Sequence, residues 1–301
     1  MATLSTTDLC HAYKNTKALI NVSFQLHEGI TAIIGPNGAG KTTLINILCG
    51  LLQPANGSVT LDSTDVKMLG KSYYSRIGYC PQELDFYPNF TVIEFLEYIS
   101  LLKRVEKKTT KVHLEKILCE VNLYEQRNKK IRTLSGGMKR RLGIAQALLG
   151  DPKILILDEP TAGLDPNERI RFKKLIAKLS TEKIVIIATH IISDVENIAN
   201  QLLFLKHGKV IINDSPKNTL AAISDCVWII PNIACESFNH IASDLRISSI
   251  INRNDNSFEI RVIATEKPLP QAKQVMPNLE DVYVYHYFDS KGDAIGDKLV
   301  F

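Results

Sequence analysis

Residues 30–49 read ITAIIGPNGAGKTTLINILC, and this stretch decides the fold class. Ile30–Ile34 is a β-branched run that suits a buried strand. Thr42–Cys49 spaces its apolar residues as a packed helix does, and Gly50 suits the helix C-cap. Between them lies Gly35-Pro36-Asn37-Gly38-Ala39-Gly40-Lys41-Thr42, a G-x-x-x-x-G-K-[ST] pattern in a strand–turn–helix context, followed by Thr43. Glycines let backbone N–H groups converge on phosphate oxygens without Cβ clashes, and a helix N-terminus adds partial positive charge. Lys41 can reach β- and γ-phosphates, and the Thr42 hydroxyl is a hard oxygen ligand for Mg²⁺. A glycine-rich turn that binds nothing has no use for Lys-Thr in this register.

Outward from this loop the pattern alternates. Ala18–Leu26 and Ser58–Leu61 read as strands. Thr91 and Glu94 have capping-box spacing and open a helix through about Leu102, after which Lys103–Lys111 is a charged break. Leu114, Ile117, Leu118 and Val121 mark one helix face. Ser135 caps a further helix with Met138, Leu142, Ala145 and Leu149 inward, stopped by Gly150-Asp151-Pro152. Ile154–Leu157 and Ile184–Ala188 are buried strands on either side of a helix marked by Phe172, Leu175, Ile176 and Leu179. Strands alternating with helices imply a parallel sheet covered on both faces. Leu202–Leu205 and Lys209–Ile212 form a hairpin around His207-Gly208, and Asp214–Asn218 reads as a linker. Beyond it come strands at Val227–Ile230, Ile247–Asn252 and Phe258–Ile263, a turn at 254–256 and a short helix at Gln271–Val275.

Composition excludes several classes. The 301 residues are 45% hydrophobic and 23% charged, which is ordinary globular usage. A net charge of +4 is too small to point to a nucleic-acid partner, and none is expected. No apolar run approaches the ~18 residues of a spanning helix. The N-terminus lacks a signal-peptide pattern, and the 6 cysteines form no CxxC pair, as expected of reduced thiols.

Two further clusters carry chemistry. Ile154–Leu157 ends in Asp158-Glu159, at the kind of strand end where open α/β sheets bind ligands. Asp158 suits a Mg²⁺ ligand, and Glu159 suits a group that orients or deprotonates an attacking water. Alone, two solvated acids capping a strand would explain them equally well. Ser135-Gly136-Gly137 opens a helix with a hydroxyl and bare backbone. Each glycine there weakens the helix by roughly 0.8–1 kcal/mol relative to Ala, which points to close backbone approach.

With these motifs the chain resembles the ATP-binding cassette (ABC) ATPases from about Thr3 to Asn218, through the ordered set GPNGAGKTT, Gln82, LSGGM, ILILDEP, AGLD and ATH. The resemblance implies an α/β fold. Its parts are a P-loop NTPase core with a parallel sheet, an N-terminal antiparallel β subdomain and a helical signature subdomain, in residues 1–218. A small α+β accessory domain follows in 219–301. It implies ATP and Mg²⁺ as ligands, with Gly35 to Thr43 cradling the phosphates. Tyr13 stacks on adenine, although His11 is a rival. Thr42, Gln82 and Asp158 serve the metal; Lys41, Gln82, Glu159 and His190 serve catalysis. Asp165 lies in a loop that crosses a dimer interface. Ser135, Gly136 and Gly137 serve a nucleotide held by a second cassette, so two copies or two different cassettes complete each site. Met138 replaces the commoner glutamine of the signature.

The single P-loop, the short stretch between Lys41 and Ser135, and the lack of spanning helices favour a separate transporter subunit. Such a subunit sits on the cytoplasmic face of the membrane and is held by an integral permease. Aromatics in 83–103 fall where the family docks that permease, or serve simply as core. Val227–Ile230 and Pro277–Tyr283 resemble the tail of ABC-2-type exporter ATPases. The bland alternative is a folded appendage without chemistry, with Trp228 as core. The expected function is to power export of a drug, peptide or other small substrate; the alternative is a regulatory or immunity ATP switch.

Overall fold

A computed structural model of the chain describes residues 2–105, 107–234, 238, 245–253 and 257–288. It contains two compact units, Met1–Asn213 and Asp214–Phe301. The first opens with strands β1 (Leu4–Tyr13), β2 (Thr16–Leu26) and β3 (Gly29–Ile34), then helix α1 (Lys41–Leu48). Strands β4 (Asn56–Leu61) and β5 (Thr64–Asp65), helices α2 (Val66–Leu69) and α3 (Lys71–Ser75), and strand β6 (Ile77–Cys80) follow. A helical stretch then holds α4 (Val92–Leu102), α5 (Lys107–Glu120) and α6 (Gly136–Leu148). The unit closes with β7 (Ile154–Asp158), α7 (Pro166–Leu179), β8 (Ile184–Thr189), β9 (Gln201–Lys206) and β10 (Lys209–Asp214).

Two sheets sandwich the main core. One runs β2-β1-β4-β5 with antiparallel ladders. The other runs β10-β9-β3-β8-β7-β6, with β3, β6, β7, β8 and β9 parallel. Leu4, Val22, Phe24, Leu44, Leu48, Ile156 and Ile186 share one cluster, so α1 packs between the sheets. Such a parallel sheet carries the ends of β3, β7 and β8 to one edge.

In the second unit, α8 (Pro216–Ala221) precedes β11 (Val227–Ala234), β12 (Arg246–Arg253), β13 (Ser257–Ile263), β14 (Lys273–Gln274) and α9 (Leu279–Tyr287). The sheet order is β12-β13-β11-β14. Ile230, Ile233, Ile260 and Val262 form its core, with Trp228 half-buried against them and its indole N–H donating to the Ala264 carbonyl at 3.0 Å.

Several local expectations change. The capping box at Thr91 and Glu94 is present, and Ser135 does cap α6. The charged break at Lys103–Lys111 is shorter than expected, since α5 begins at Lys107: lysine is a good helix former and needs no buried face. Asp214–Asn218 is not a plain linker. Ser215 accepts from the Asn218 N–H and Pro216 takes the first helical position, so the segment starts α8. Gln271–Val275 is not helical: Lys273 and Gln274 pair with Ile229 and Trp228, because the open edge of β11 offers backbone partners. The turn at 254–256 lies outside the described residues.

Candidate functional site

The loop Gly35–Gly40 joins β3 to α1. Its glycines are required for different reasons. A Cβ on Gly35 would sit 2.6 Å from the Leu205 carbonyl oxygen, and one on Gly40 would sit 2.5 Å from that of Ala18. These two positions let the loop lie against its own fold. Gly38 has φ +78° yet faces open space, so only its backbone conformation calls for glycine. Gly40 caps α1 without a side-chain bond, and no acid lies in the first turn. The Lys41 ammonium is buried and donates to the carbonyls of Gly35 at 2.6 Å and Pro36 at 3.1 Å. Burial lowers its pKa, against the pull of Glu159 and Asp158. Thr42 is exposed, whereas Thr43 is buried.

The ends of β7 and β8 meet beside it. Burial, then the charge of Glu159, push the Asp158 carboxyl up to about 6, opposed by Lys41 and Arg140. Glu159 is buried and has φ +45°, a strained value for a residue with a Cβ. Its Oε2 accepts from the Thr189 hydroxyl at 3.1 Å. Its Oε1 accepts from the His190 N–H at 3.1 Å and faces His190 Nδ1 at 2.8 Å. The histidine ring is half-exposed and the carboxylate is not, so the pair points from the core toward solvent. Lys41, Asp158, Glu159 and His190 are thus brought together.

Among the described residues, the remaining site residues make no direct hydrogen bond to this group. Ser135 accepts from the Met138 N–H at 3.2 Å, which caps its own helix. A Cβ on Gly136 would meet nothing within 4 Å, so none of the described residues requires that glycine. Among the described residues no hydrogen bond joins Ser135, Gly136 or Gly137 to the Gly35–Gly40 loop. Gln82 is exposed, just past β6. Tyr13 ends β1, is 49% exposed and meets the edge of His11 with ring centroids 4.9 Å apart. Asp165 accepts from the Glu168 N–H at 2.9 Å and caps α7. A cleft of about 370 Å³ is lined by Val121, Ile144 and Phe172 and by no residue of the Gly35–Gly40 loop.

Residues 19–162 match the family model described as ABC transporter. The uncharacterized ABC transporter ATP-binding protein YxlF of Bacillus subtilis (strain 168) is 40% identical over 69% of this chain and 69% of its own. The chain belongs to the ABC transporter family. The Nod factor export ATP-binding protein I of Cupriavidus pinatubonensis is 33% identical over 71% of this chain and 66% of its own, just under two thirds. The dimeric structure of a bacterial ABC transporter cassette superposes with a TM-score of 0.64 at 27% identity, covering 71% of this chain and 98% of that one. The fold is that of an ABC ATPase, and ATP hydrolysis is the activity of such cassettes.

Within this ABC cassette, sequence reasoning missed three groups. Thr189 holds the Glu159 carboxylate; its only signal was its place at the end of β8 before His190. Asp194 accepts from the Thr161 hydroxyl and lies 3.6 Å from Arg169, so it ties the loop after Glu159 to the turn after His190. Arg140 is buried on α6, where the apolar pattern had placed Met138, which is only half-buried. A polar residue off the apolar face carried no signal.

Proposed function

We propose that the chain is the ATP-hydrolysing subunit of a membrane exporter, working as a pair of cassettes at the cytoplasmic face under an integral permease. What carries the reading is Glu159, a buried carboxylate held by Thr189 and His190 beside Lys41 and Asp158. The amides of Gly35–Gly40 and the start of α1 receive the phosphates. Lys41 exchanges the Gly35 and Pro36 carbonyls for the β- and γ-phosphates. Tyr13, exposed at the end of β1, offers a face to adenine. Glu159 takes the proton of the attacking water, and His190 holds the carboxylate and reaches the γ-phosphate. The open Gly136 backbone and the partner subunit's Ser135 close the nucleotide.

The donor set also fits Mg²⁺. Asp158 is buried without a hydrogen-bond donor among the described residues, and Thr42 offers a hydroxyl. No three His, Cys, Asp or Glu side chains converge among the described residues, which matches an ion bound by one carboxylate plus substrate phosphates. When bound, Mg²⁺ offsets the charge of the phosphates and of Asp158. Gln82 follows β6, and its carbonyl shares the Arg140 guanidinium with that of Glu159.

Export is supported by the Nod factor relative and by the exposed Tyr87, Leu101 and Leu102 past Gln82. Phe95 in the same segment is core. Glu159→Gln tests the site: turnover should fall by about 10²–10⁴-fold while ATP still binds, and an ATP-bound dimer should elute early on size exclusion. Unchanged turnover, or a monomer with ATP, would reject the role given to Glu159.

A further inference from the structure

Arg140 is 6% exposed and makes no ion pair among the described residues. A buried charge is costly unless its donors are satisfied. Here its oxygen partners are three backbone carbonyls, and the Cys80 thiol also lies within hydrogen-bond reach. Nη1 donates to Pro81 at 2.9 Å and to Gln82 at 3.0 Å, and Nη2 donates to Glu159. One side chain on α6 therefore grips the loop after β6 and the residue after β7. The Glu159 carbonyl also accepts from the Ala162 N–H at 3.3 Å, and the Glu159 N–H donates to Ala188 at 2.9 Å. A left-handed, non-glycine backbone persists only where its surroundings fix it. Arg141, the next residue, turns elsewhere: it donates to the Asn122 carbonyl at 2.8 Å and pairs with Glu168 at 3.1 Å.

We propose that Arg140 is a positioning residue for hydrolysis, fixing the strained Glu159 backbone to the Gln82 loop so that the signature helix sets where the Glu159 carboxylate points. A displacement of α6 or of the Gln82 loop moves the guanidinium, and the Glu159 carbonyl follows it. The role rests on Glu159 being the base. Arg140 is buried and its guanidinium donates to backbone carbonyls, so its effect should fall on turnover and not on ATP affinity.

The test uses the full chain with Arg140→Met, Arg140→Lys, Arg141→Met and Glu159→Gln. Arg140→Met should lower kcat by about 10- to 100-fold, since a base misplaced by about 1 Å loses that much. The ATP dissociation constant should stay within about threefold. Arg140→Lys, which keeps the charge but not the fork, should be intermediate. Arg141→Met should lower the melting temperature and spare kcat. Arg140→Met added to Glu159→Gln should lower the residual rate no further. Wild-type kcat in Arg140→Met, an equal loss of ATP affinity, or a full further loss in the Glu159→Gln background would overturn the proposal. If Arg140→Met does not fold, Arg140→Lys and Arg140→Gln carry the same comparison. Should Glu159→Gln itself turn over normally, the base assignment fails; an arrested Glu159→Gln beside an unaffected Arg140→Met sinks the positioning role alone.

Discussion

Asp158 and Asp281 are both buried aspartates, 3% and 0% exposed, one in each unit. Asp281 is fully served. Arg261 Nε lies 2.9 and 3.0 Å from its two oxygens and Nη2 lies 2.7 Å from Oδ2. The Ser248 hydroxyl donates at 2.6 Å, and the Asn278 N–H donates at 2.8 Å as half of the capping box of α9. Asp158 has no donor among the described residues and a like charge next door. A buried charge with all its partners inside the chain is architecture. One left short, beside Lys41, is the carboxylate proposed above to hold Mg²⁺. The tail is thereby consistent with a folded appendage, and the end of β7 with a site.

The contrast is tested most strongly on turnover. Asp158→Asn should cut steady-state ATP hydrolysis by up to about a thousandfold, as removing one charge-stabilising group does. Asp281→Asn should leave it within about twofold. Equal losses would erase the distinction. The second test reverses the roles. Asp281→Ala strands Arg261, whose side chain is 18% exposed, and should cost about 3 kcal/mol, seen as earlier urea unfolding of the full chain. Replacing Arg261 and Asp281 together by apolar residues should cost less than either change alone, because no unpaired charge remains. Additive losses would mean the pair is not the unit that holds α9 to the sheet.

Much of this was legible in the residues because local chemistry dictates it. The turn from β3 to α1 needs its glycines, and the caps at Thr91 and Ser135 need their oxygens. Buried parallel strands must read as apolar runs, as β7 and β8 do. What stayed hidden depends on partners distant in sequence. Arg140 looks like any surface arginine until α6 is laid against β6 and β7. The pairing of Lys273 and Gln274 comes from the free edge of β11, not from their own propensity. Nothing in the sequence singles out Asp281, and only Arg261, on β13, makes it a buried pair.

The finest test of Asp158 is its response to pH. Asp158 has a folded pKa of about 6 against an ordinary 3.8, so ionising it opposes folding. As pH rises from 3.8 toward 6 the unfolded chain gives up this proton first, and the folded state loses stability. Above that range the full penalty stays, about 3 kcal/mol at most by the size of the shift. In chelator and without nucleotide, lowering the pH from 7.5 to 5 should therefore return about 1 kcal/mol at this carboxyl. Other carboxylates act the opposite way: the Lys183 hydrogen bond lowers the pKa of Asp151, whose contribution is lost as pH falls. Melting curves must therefore be read as wild type minus Asp158→Asn. At pH 7.5 the variant should be the more stable by about 2 kcal/mol, and the gap should narrow on acidification. A gap that is constant with pH, or of opposite sign, would show that Asp158 is satisfied within the chain, as Asp281 is, and the end of β7 would lose its claim to a cation.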